Sequence, residues 1–139
     1  MSERRIDTFF YGLFMDAGLL RSSGIDPANP RKAYVENYAL RVGDRATLVP
    51  SVGARAHGML MALTHLELER LYGAPGLDLY RAEAALARQP DAAPVAALCY
   101  NVPVGPRAGL RNSSYAVRLQ ETLRNLGFPA EYVDAVADA

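Results

Sequence analysis

The segment Asp7–Met15 holds the residues of this chain best suited to bind a small molecule. It is an apolar, aromatic run that ends at Tyr11-Gly12 before the polar Asp16. Such runs are typical of buried strands, and a glycine at a strand end marks a sharp turn or close approach of a ligand. Successive N–H groups in such a turn can bind an anionic or carbonyl oxygen. We therefore predict a strand over Thr8–Leu13. We also predict that the backbone N–H groups from Tyr11 to Met15 face a pocket. The alternative is an ordinary core strand with a glycine turn.

Carboxylates and phenols elsewhere in the chain could complete such a pocket. Glu36 lies on a half-polar strand, and Glu83 follows Tyr80-Arg81. For each carboxylate, a surface ion pair is the alternative interpretation. Five tyrosines could line the pocket or pack as core aromatics whose hydroxyls reach water: Tyr34, Tyr38, Tyr80, Tyr100 and Tyr115.

Cys99 and the two histidines offer a second kind of chemistry. Cys99 with His57 or His65 could form a thiol–imidazole pair. Cys99, however, lies in an apolar segment, where a buried structural thiol is the better interpretation. The histidines have no metal-like spacing to Cys or Asp, so we expect no metal ion and no cofactor.

Several strands must position these residues. Ala33–Arg41 alternates in the manner of a strand, but neither of its faces is cleanly apolar. Thr47–Pro50 is predicted as a short edge-like strand, with a turn at Val52-Gly53 after it. His57–Leu63 is a nearly continuous apolar run and is predicted as a central strand.

Two helices carry clear local signals. Thr64 and Glu67 form a capping-box pattern at the start of one helix, which Gly73 ends. The second helix is predicted over Ser114–Leu126, with Gly127 after it, because leucines recur there at helical spacing.

The remaining segments complete a fold of the α+β class. Leu79–Leu86 is a strand candidate whose alanines would also suit a helix, Val95–Tyr100 is predicted as a buried strand, and Asn101–Arg111 as a long loop. Many short strands with two helices indicate α+β, and a barrel-like sheet would cover the edges of so many strands.

The bulk composition limits the classes of function. The 139 residues predict a single domain over residues 1–139. Fifteen basic and fifteen acidic residues cancel, which argues against binding to nucleic acid or to a membrane surface. Neither a membrane span nor a signal peptide is evident, and a lone cysteine fits a reducing cytoplasm. We expect a small molecule as the partner, and the sequence does not indicate an oligomeric state.

The order of these motifs resembles the γ-glutamylcyclotransferase family over essentially the whole chain. Seven segments match in the correct order. They are Phe10–Leu13, Val49-Pro50, Gly58, the capped helix ending at Tyr72-Gly73, Tyr80-Arg81, Ser114-Tyr115 and Leu126–Tyr132.

The resemblance implies a small mixed barrel with flanking helices and a pocket at one end. It also implies release of 5-oxoproline from γ-glutamyl compounds, in which the α-amine of the substrate attacks the γ-amide carbonyl while a Glu acts as base. Such an enzyme would be an acyltransferase or lyase. The residues that the resemblance assigns to substrate binding are Tyr11, Gly12, Leu13, Phe14, Tyr80 and Tyr115.

Three positions depart from the family pattern. Tyr72 stands where the Glu base belongs, and Glu69 is the acidic residue three positions before it. An unperturbed tyrosine has a pKa near 10, so about 3 pKa units, or about 4 kcal/mol, separate Tyr72 from a base that is ready at neutral pH. Leu13 and Phe14 stand where small or polar residues are common.

Three functions therefore remain open. The first is a γ-glutamylcyclotransferase-like protein with a pocket for a γ-glutamyl or related carboxylate, with the role of Tyr72 as base in question. The second is a non-catalytic binding or interaction module on the same fold. The third is another amide- or acyl-processing enzyme that uses Glu69, Glu36 or Glu83.

Overall fold

The computed structural model describes residues 4–103 and 112–139 of the chain. The strands are β1 (Arg5–Phe10), β2 (Ala28–Val42), β3 (Ala46–Thr64), β4 (Arg81–Gln89) and β5 (Ala92–Asn101). The helices are α1 (Ala17–Ser22), α2 (His65–Tyr72), α3 (Ser113–Asn125) and α4 (Ala130–Ala135), with 3-10 turns at Leu13–Met15 and Val136–Asp138.

The strands close into a barrel in the order β1-β3-β2-β4-β5. Neighbours pair antiparallel, with Phe9 opposite Leu60, except at the seam between β1 and β5, where Thr8 pairs parallel with Leu98. The helices flank this sheet. The predicted α+β fold with a small mixed, barrel-like sheet is confirmed.

The strand β3 is longer than predicted. One continuous strand covers the predicted edge strand, the predicted turn at Val52-Gly53 and the predicted central strand. The prediction of a turn at Val52-Gly53 is therefore wrong. Asn37 explains the difference. It lies opposite a bulge of β3, where residues 51–54 face this one residue of β2, and its side-chain oxygen accepts the N–H of Gly53 at 3.1 Å; its own φ is 66°. A bulge bends a paired strand without ending it.

The same bulge accounts for the mixed faces of β2. Before Asn37 the buried residues include Ala33 and Val35, and after it Leu40 and Val42. The left-handed backbone of Asn37 opposite the bulge shifts the alternation of β2 by one position, so neither face remains apolar along the whole strand.

The first strand ends three residues earlier than predicted. β1 stops at Phe10, and Leu13–Met15 is a 3-10 turn rather than strand. Helix α1 follows and was not predicted. Its signal was Asp16, whose carboxylate accepts the N–H of Gly18 at 2.9 Å and so caps the helix.

Both predicted helices are confirmed, the second with bounds shifted by one residue. Thr64 Oγ1 accepts the N–H of Glu67 at 3.1 Å, and the Glu67 carboxylate accepts that of Thr64 at 2.9 Å. Glu67 also accepts the N–H of Asp26 at 2.8 Å, which ties the segment before β2 to α2. Leu119 and Leu123 of α3 are fully buried, as the leucine spacing predicted.

Close contact between β1 and β3 requires a glycine at position 58. A Cβ there would lie 2.7 Å from Phe9 Cζ and would also clash with the Phe10 carbonyl oxygen. The end of β1 can therefore pack directly onto β3.

Two expectations extend beyond what the structure describes. Of the predicted Asn101–Arg111 loop, residues 104–111 lie outside the described part, and the single domain over residues 1–139 stays a prediction. In the ranges that are described, no helix is both long and apolar enough to cross a membrane.

Candidate functional site

A cavity of about 220 Å³ lies at the end of the barrel where β1 and β5 finish and β3 and β4 begin. Fifteen of the described residues line this end cavity, and eight of them are Phe or Tyr. The eight, called the cavity cluster below, are Phe9, Phe10, Tyr11, Phe14, Tyr72, Tyr80, Tyr100 and Tyr115. The other seven are Gly12, Leu13, Leu19, Arg45, Ala46, Leu77 and Arg118.

The loop after β1 is held in place by two tyrosines. The Tyr11 hydroxyl donates to the carbonyl of Tyr100 at 2.6 Å, which joins the loop to β5. A Cβ on Gly12 would lie 2.6 Å from the Tyr115 hydroxyl, so the close approach of Tyr115 explains the glycine. The N–H of Met15 is donated to the Gly12 carbonyl at 3.0 Å, and Met15 does not line the cavity. The predicted binding loop therefore ends at Phe14.

Tyr72 lies in the wall of the cavity. Its ring stacks on Tyr100 with centroids 3.8 Å apart and planes 10° from parallel, and the Phe14 ring meets it edge-on at 6.0 Å. Both Tyr72 and Tyr100 also border a groove on the outer surface, which contains Glu69 and His65. The stacked pair thus separates the cavity from Glu69.

The phenols of the cavity stay protonated at neutral pH. Burial, followed by the nearby Cys99 thiol and neighbouring phenols, raises the pKa of Tyr72 well above 10. Burial likewise raises the pKa values of Tyr11, Tyr80, Tyr100 and Tyr115. The phenolate form of Tyr72, which is the form that can take a proton from an ammonium group, is therefore populated even less at neutral pH than in an exposed tyrosine.

Arg45 and Arg118 supply positive charge at the cavity, and the sequence analysis missed both. Their side chains are exposed at its edge, and both guanidinium groups favour the charged form of the Tyr115 phenol, although burial dominates that pKa. Arg118 had a usable signal, because helical spacing places it one turn after Tyr115 on the same face of α3. Arg45 follows a turn and had none.

Carboxylates are absent from the lining formed by the described residues. Glu36 is exposed and pairs with Arg55 at 3.4 Å and with Arg88 at 3.5 Å. Glu69 and Glu83 are exposed away from the cavity. Asp44 acts on the Tyr80 phenol, but it does not line the cavity either. Residues 104–111, outside the described part, contain no acidic residue in the sequence.

The thiol–imidazole pair is not assembled. Burial raises the pKa of Cys99 to about 12, so the thiol stays protonated. His57 packs against Phe128 and Tyr132, and His65 is exposed at the start of α2. Over the described ranges, no group of three or more His, Cys, Asp or Glu side chains is placed to hold a metal ion.

The fold described above is similar to that of several solved structures, among them a γ-glutamyl cyclotransferase. A solved γ-glutamyl cyclotransferase superposes with a TM-score of 0.80 at 14% identity, covering 96% of this chain and 86% of that one. An uncharacterised human protein gives 0.78 at 18% identity, with 96% and 87% covered. An AIG2-like mouse protein gives 0.57 at 13% identity, with 91% and 86% covered. No family model and no curated protein matches the chain.

At these identities the likeness establishes the fold, and the predicted resemblance is confirmed at that level. The structure brings Tyr72 and all six residues predicted to bind substrate to one cavity, and it leaves Glu69 outside. Their roles in binding or catalysis stay predictions.

Proposed function

We propose that this chain binds a small carboxylate-containing molecule in the end cavity and does not release 5-oxoproline from it. The observation that carries the proposal is the charge of the lining. Two arginines are present and no carboxylate is, within the part of the chain that the structure describes. Such a lining attracts an anion and contains no base of suitable pKa.

Cyclisation of a γ-glutamyl compound requires an ammonium group to lose a proton before its nitrogen attacks the amide carbonyl. General-base catalysis of such a step typically contributes about 10²–10⁴-fold in rate. Tyr72 occupies the position at which the resemblance implies a Glu base, and its raised pKa removes it from that role. The phenols that remain can donate hydrogen bonds and cannot accept the proton at neutral pH.

A different enzyme that uses another carboxylate is the weaker alternative. Glu36 is held between two arginines, and the stacked Tyr72 and Tyr100 lie between Glu69 and the cavity. Glu83 is exposed on β4. No observation favours any of the three as a base acting in the cavity.

The proposal is tested by titration with 5-oxoproline and L-glutamate, observed through amide NMR signals. We expect signals of Gly12 and Leu13 to shift and the shifts to saturate. Arg45→Gln should weaken binding of either ligand, while Arg124→Gln, an exposed position on α3 away from the cavity, serves as the matched control. Shifts that leave Gly12 and Leu13 unchanged, or equal effects of the two substitutions, would contradict the proposal.

A further inference from the structure

Aromatic side chains are concentrated at the end cavity to an unusual degree. The chain contains eight Tyr, four Phe and no Trp, and eight of these twelve residues line the cavity. The hydroxyls of Tyr11 and Tyr80 are donated to the backbone carbonyls of Tyr100 and Ala46. What these two residues offer a ligand is therefore the surface of their rings.

Phe14 meets two rings of the cavity cluster in the edge-to-face arrangement that aromatic pairs prefer. Phe14 lies edge-on to Tyr72 at 6.0 Å and to Phe10 at 6.3 Å, with planes at 90° and 86°. A wall of this kind presents both ring faces and ring edges. It can therefore meet a further ring edge-to-face or in an offset stack, which a saturated ring does not reproduce.

The cations lie at one side of this aromatic wall. The Arg45 guanidinium lies against Gly76, where a Cβ would come within 3.1 Å of its terminal nitrogen, so the loop before β4 helps to hold it. Among the described residues, the side-chain ion pairs of the protein involve other arginines than Arg45 and Arg118. Both guanidinium groups can therefore meet the carboxylate of a ligand.

The volume limits the size of that ligand. About 220 Å³ is below the roughly 300–1,000 Å³ of sites for drug-sized molecules. The space suits one six-membered ring with a short acidic side chain rather than a longer peptide.

From this arrangement we infer that the ligand of the end cavity is an aromatic carboxylate, with its ring against Phe14, Tyr72 and Tyr80 and its carboxylate at Arg45 and Arg118. This inference rests on the proposed carboxylate-binding function and specifies its ligand class. The apolar part of the ligand enters the aromatic wall, and the charged part stays at the exposed edge, where both arginines lie. Neither end of the ligand then meets a group of like charge.

The test compares three probes of similar size by calorimetric titration of the full chain. They are phenylacetate, its saturated counterpart cyclohexylacetate, and the neutral phenylacetamide. We expect phenylacetate to bind tightest, by about fivefold over cyclohexylacetate because of ring–ring contacts and by about tenfold over phenylacetamide because of the charge.

Substitutions should remove the preference for a charged ligand and the preference for an aromatic ring separately. Arg45→Gln and Arg118→Gln should each weaken phenylacetate by about fivefold and leave phenylacetamide unchanged, with Arg124→Gln again as the control. Phe14→Leu should reduce the advantage of phenylacetate over cyclohexylacetate to about twofold or less.

Different results would overturn the aromatic ligand class and the proposed carboxylate binding. If cyclohexylacetate and 5-oxoproline bind as tightly as phenylacetate, the aromatic inference is overturned and carboxylate binding stands. If phenylacetamide binds as tightly as phenylacetate, or no carboxylate binds, the proposed function fails together with the inference. Phenylacetate affinity that is the same in wild type, Arg45→Gln and Arg118→Gln would also overturn the inference.

Discussion

Two aromatic clusters in this protein use similar side chains in opposite ways. The C-terminal cluster consists of Tyr34, His57, Phe128 and Tyr132. In it the His57 ring lies 4.7 Å from Tyr132, the Arg55 guanidinium lies 4.0 Å over the ring of Tyr34, and Lys32 Nζ lies 5.2 Å over Phe128. Here each of the two cations lies over the face of an aromatic ring of the protein.

The cavity cluster instead surrounds about 220 Å³ of space, and its two arginines lie at the edge of that space. Aromatic residues therefore do not by themselves mark a binding site. A site is indicated where rings leave space and cations lack a ring or carboxylate of the protein to contact. We therefore expect substitutions in the C-terminal cluster to change stability and substitutions in the cavity cluster to change binding.

The largest effect on stability is expected for Tyr132→Ala. Removing a packed aromatic side chain should lower the free energy of unfolding by about 3 kcal/mol, measured by urea denaturation. The affinity for carboxylates should not change. Tyr132→Phe is the control: the hydroxyl lies near the His57 backbone but makes no hydrogen bond of normal geometry. Its loss should change stability by less than about 0.5 kcal/mol.

Tyr72→Glu should lower stability less than Tyr132→Ala does, and it should also change the catalytic activity. The substitution removes the stack on Tyr100 and places a carboxylate in a half-buried position, at an expected cost of about 2 kcal/mol. It also introduces a base on the cavity wall, so we expect measurable 5-oxoproline formation from a γ-glutamyl dipeptide. Tyr72→Gln is the matched variant without a base. Equal activity of the two variants would show that position 72 does not serve the chemistry.

Gly12→Ala tests how far the cavity cluster can adjust. Its Cβ would meet the tip of a side chain, the Tyr115 hydroxyl, rather than backbone, so we expect a loss of about 1 kcal/mol in stability. Displacement of Tyr115 should weaken ligand binding. Without the hydroxyl the nearest ring atom is 3.9 Å away, so Gly12→Ala should cost almost no stability in a Tyr115→Phe background. The hydroxyl also meets the Leu13 and Ala46 backbone, so the comparison is made with the single Tyr115→Phe variant. An equal cost of Gly12→Ala in both backgrounds would contradict the stated cause.

The smallest effect concerns His57 and pH. Burial and then the nearby Arg55 lower its pKa from 6.5, so the unfolded chain binds a proton at a higher pH than the folded chain. The free energy of unfolding should therefore decrease as pH falls below about 6.5 and level off once folded His57 is also protonated. His57→Gln should abolish this change, while His65→Gln at the exposed start of α2 should retain it. Stability that rises as pH falls through this range would contradict the assignment.

Local rules predicted the helices because their signals lie within a few residues. The reciprocal bonds of Thr64 and Glu67, and the buried leucines of α3, follow from spacing alone. The continuity of β3 could not be predicted in this way. It depends on Asn37, a residue of another strand, whose side chain accepts the N–H of Gly53 in the bulge of β3, so that β3 bends without ending its pairing.

The candidate site could likewise be predicted only in part. The order of motifs placed Tyr11, Tyr72 and Tyr115 in one pocket, as the resemblance implied, and the structure groups them. The stack of Tyr72 on Tyr100 and the position of Arg45 depend on which distant strands meet, and no local pattern encodes that. Residue types could indicate a pocket, but they could not show that its charged side chains are cationic.

The most direct test of the central claim is an assay of wild-type protein with a γ-glutamyl dipeptide, in which binding and 5-oxoproline are measured in the same sample. We expect saturable shifts of the Gly12 and Leu13 amide signals and no 5-oxoproline above the protein-free control. More than one 5-oxoproline released per protein molecule, lost in an Arg45→Gln variant, would show that this cavity catalyses the reaction without a carboxylate base.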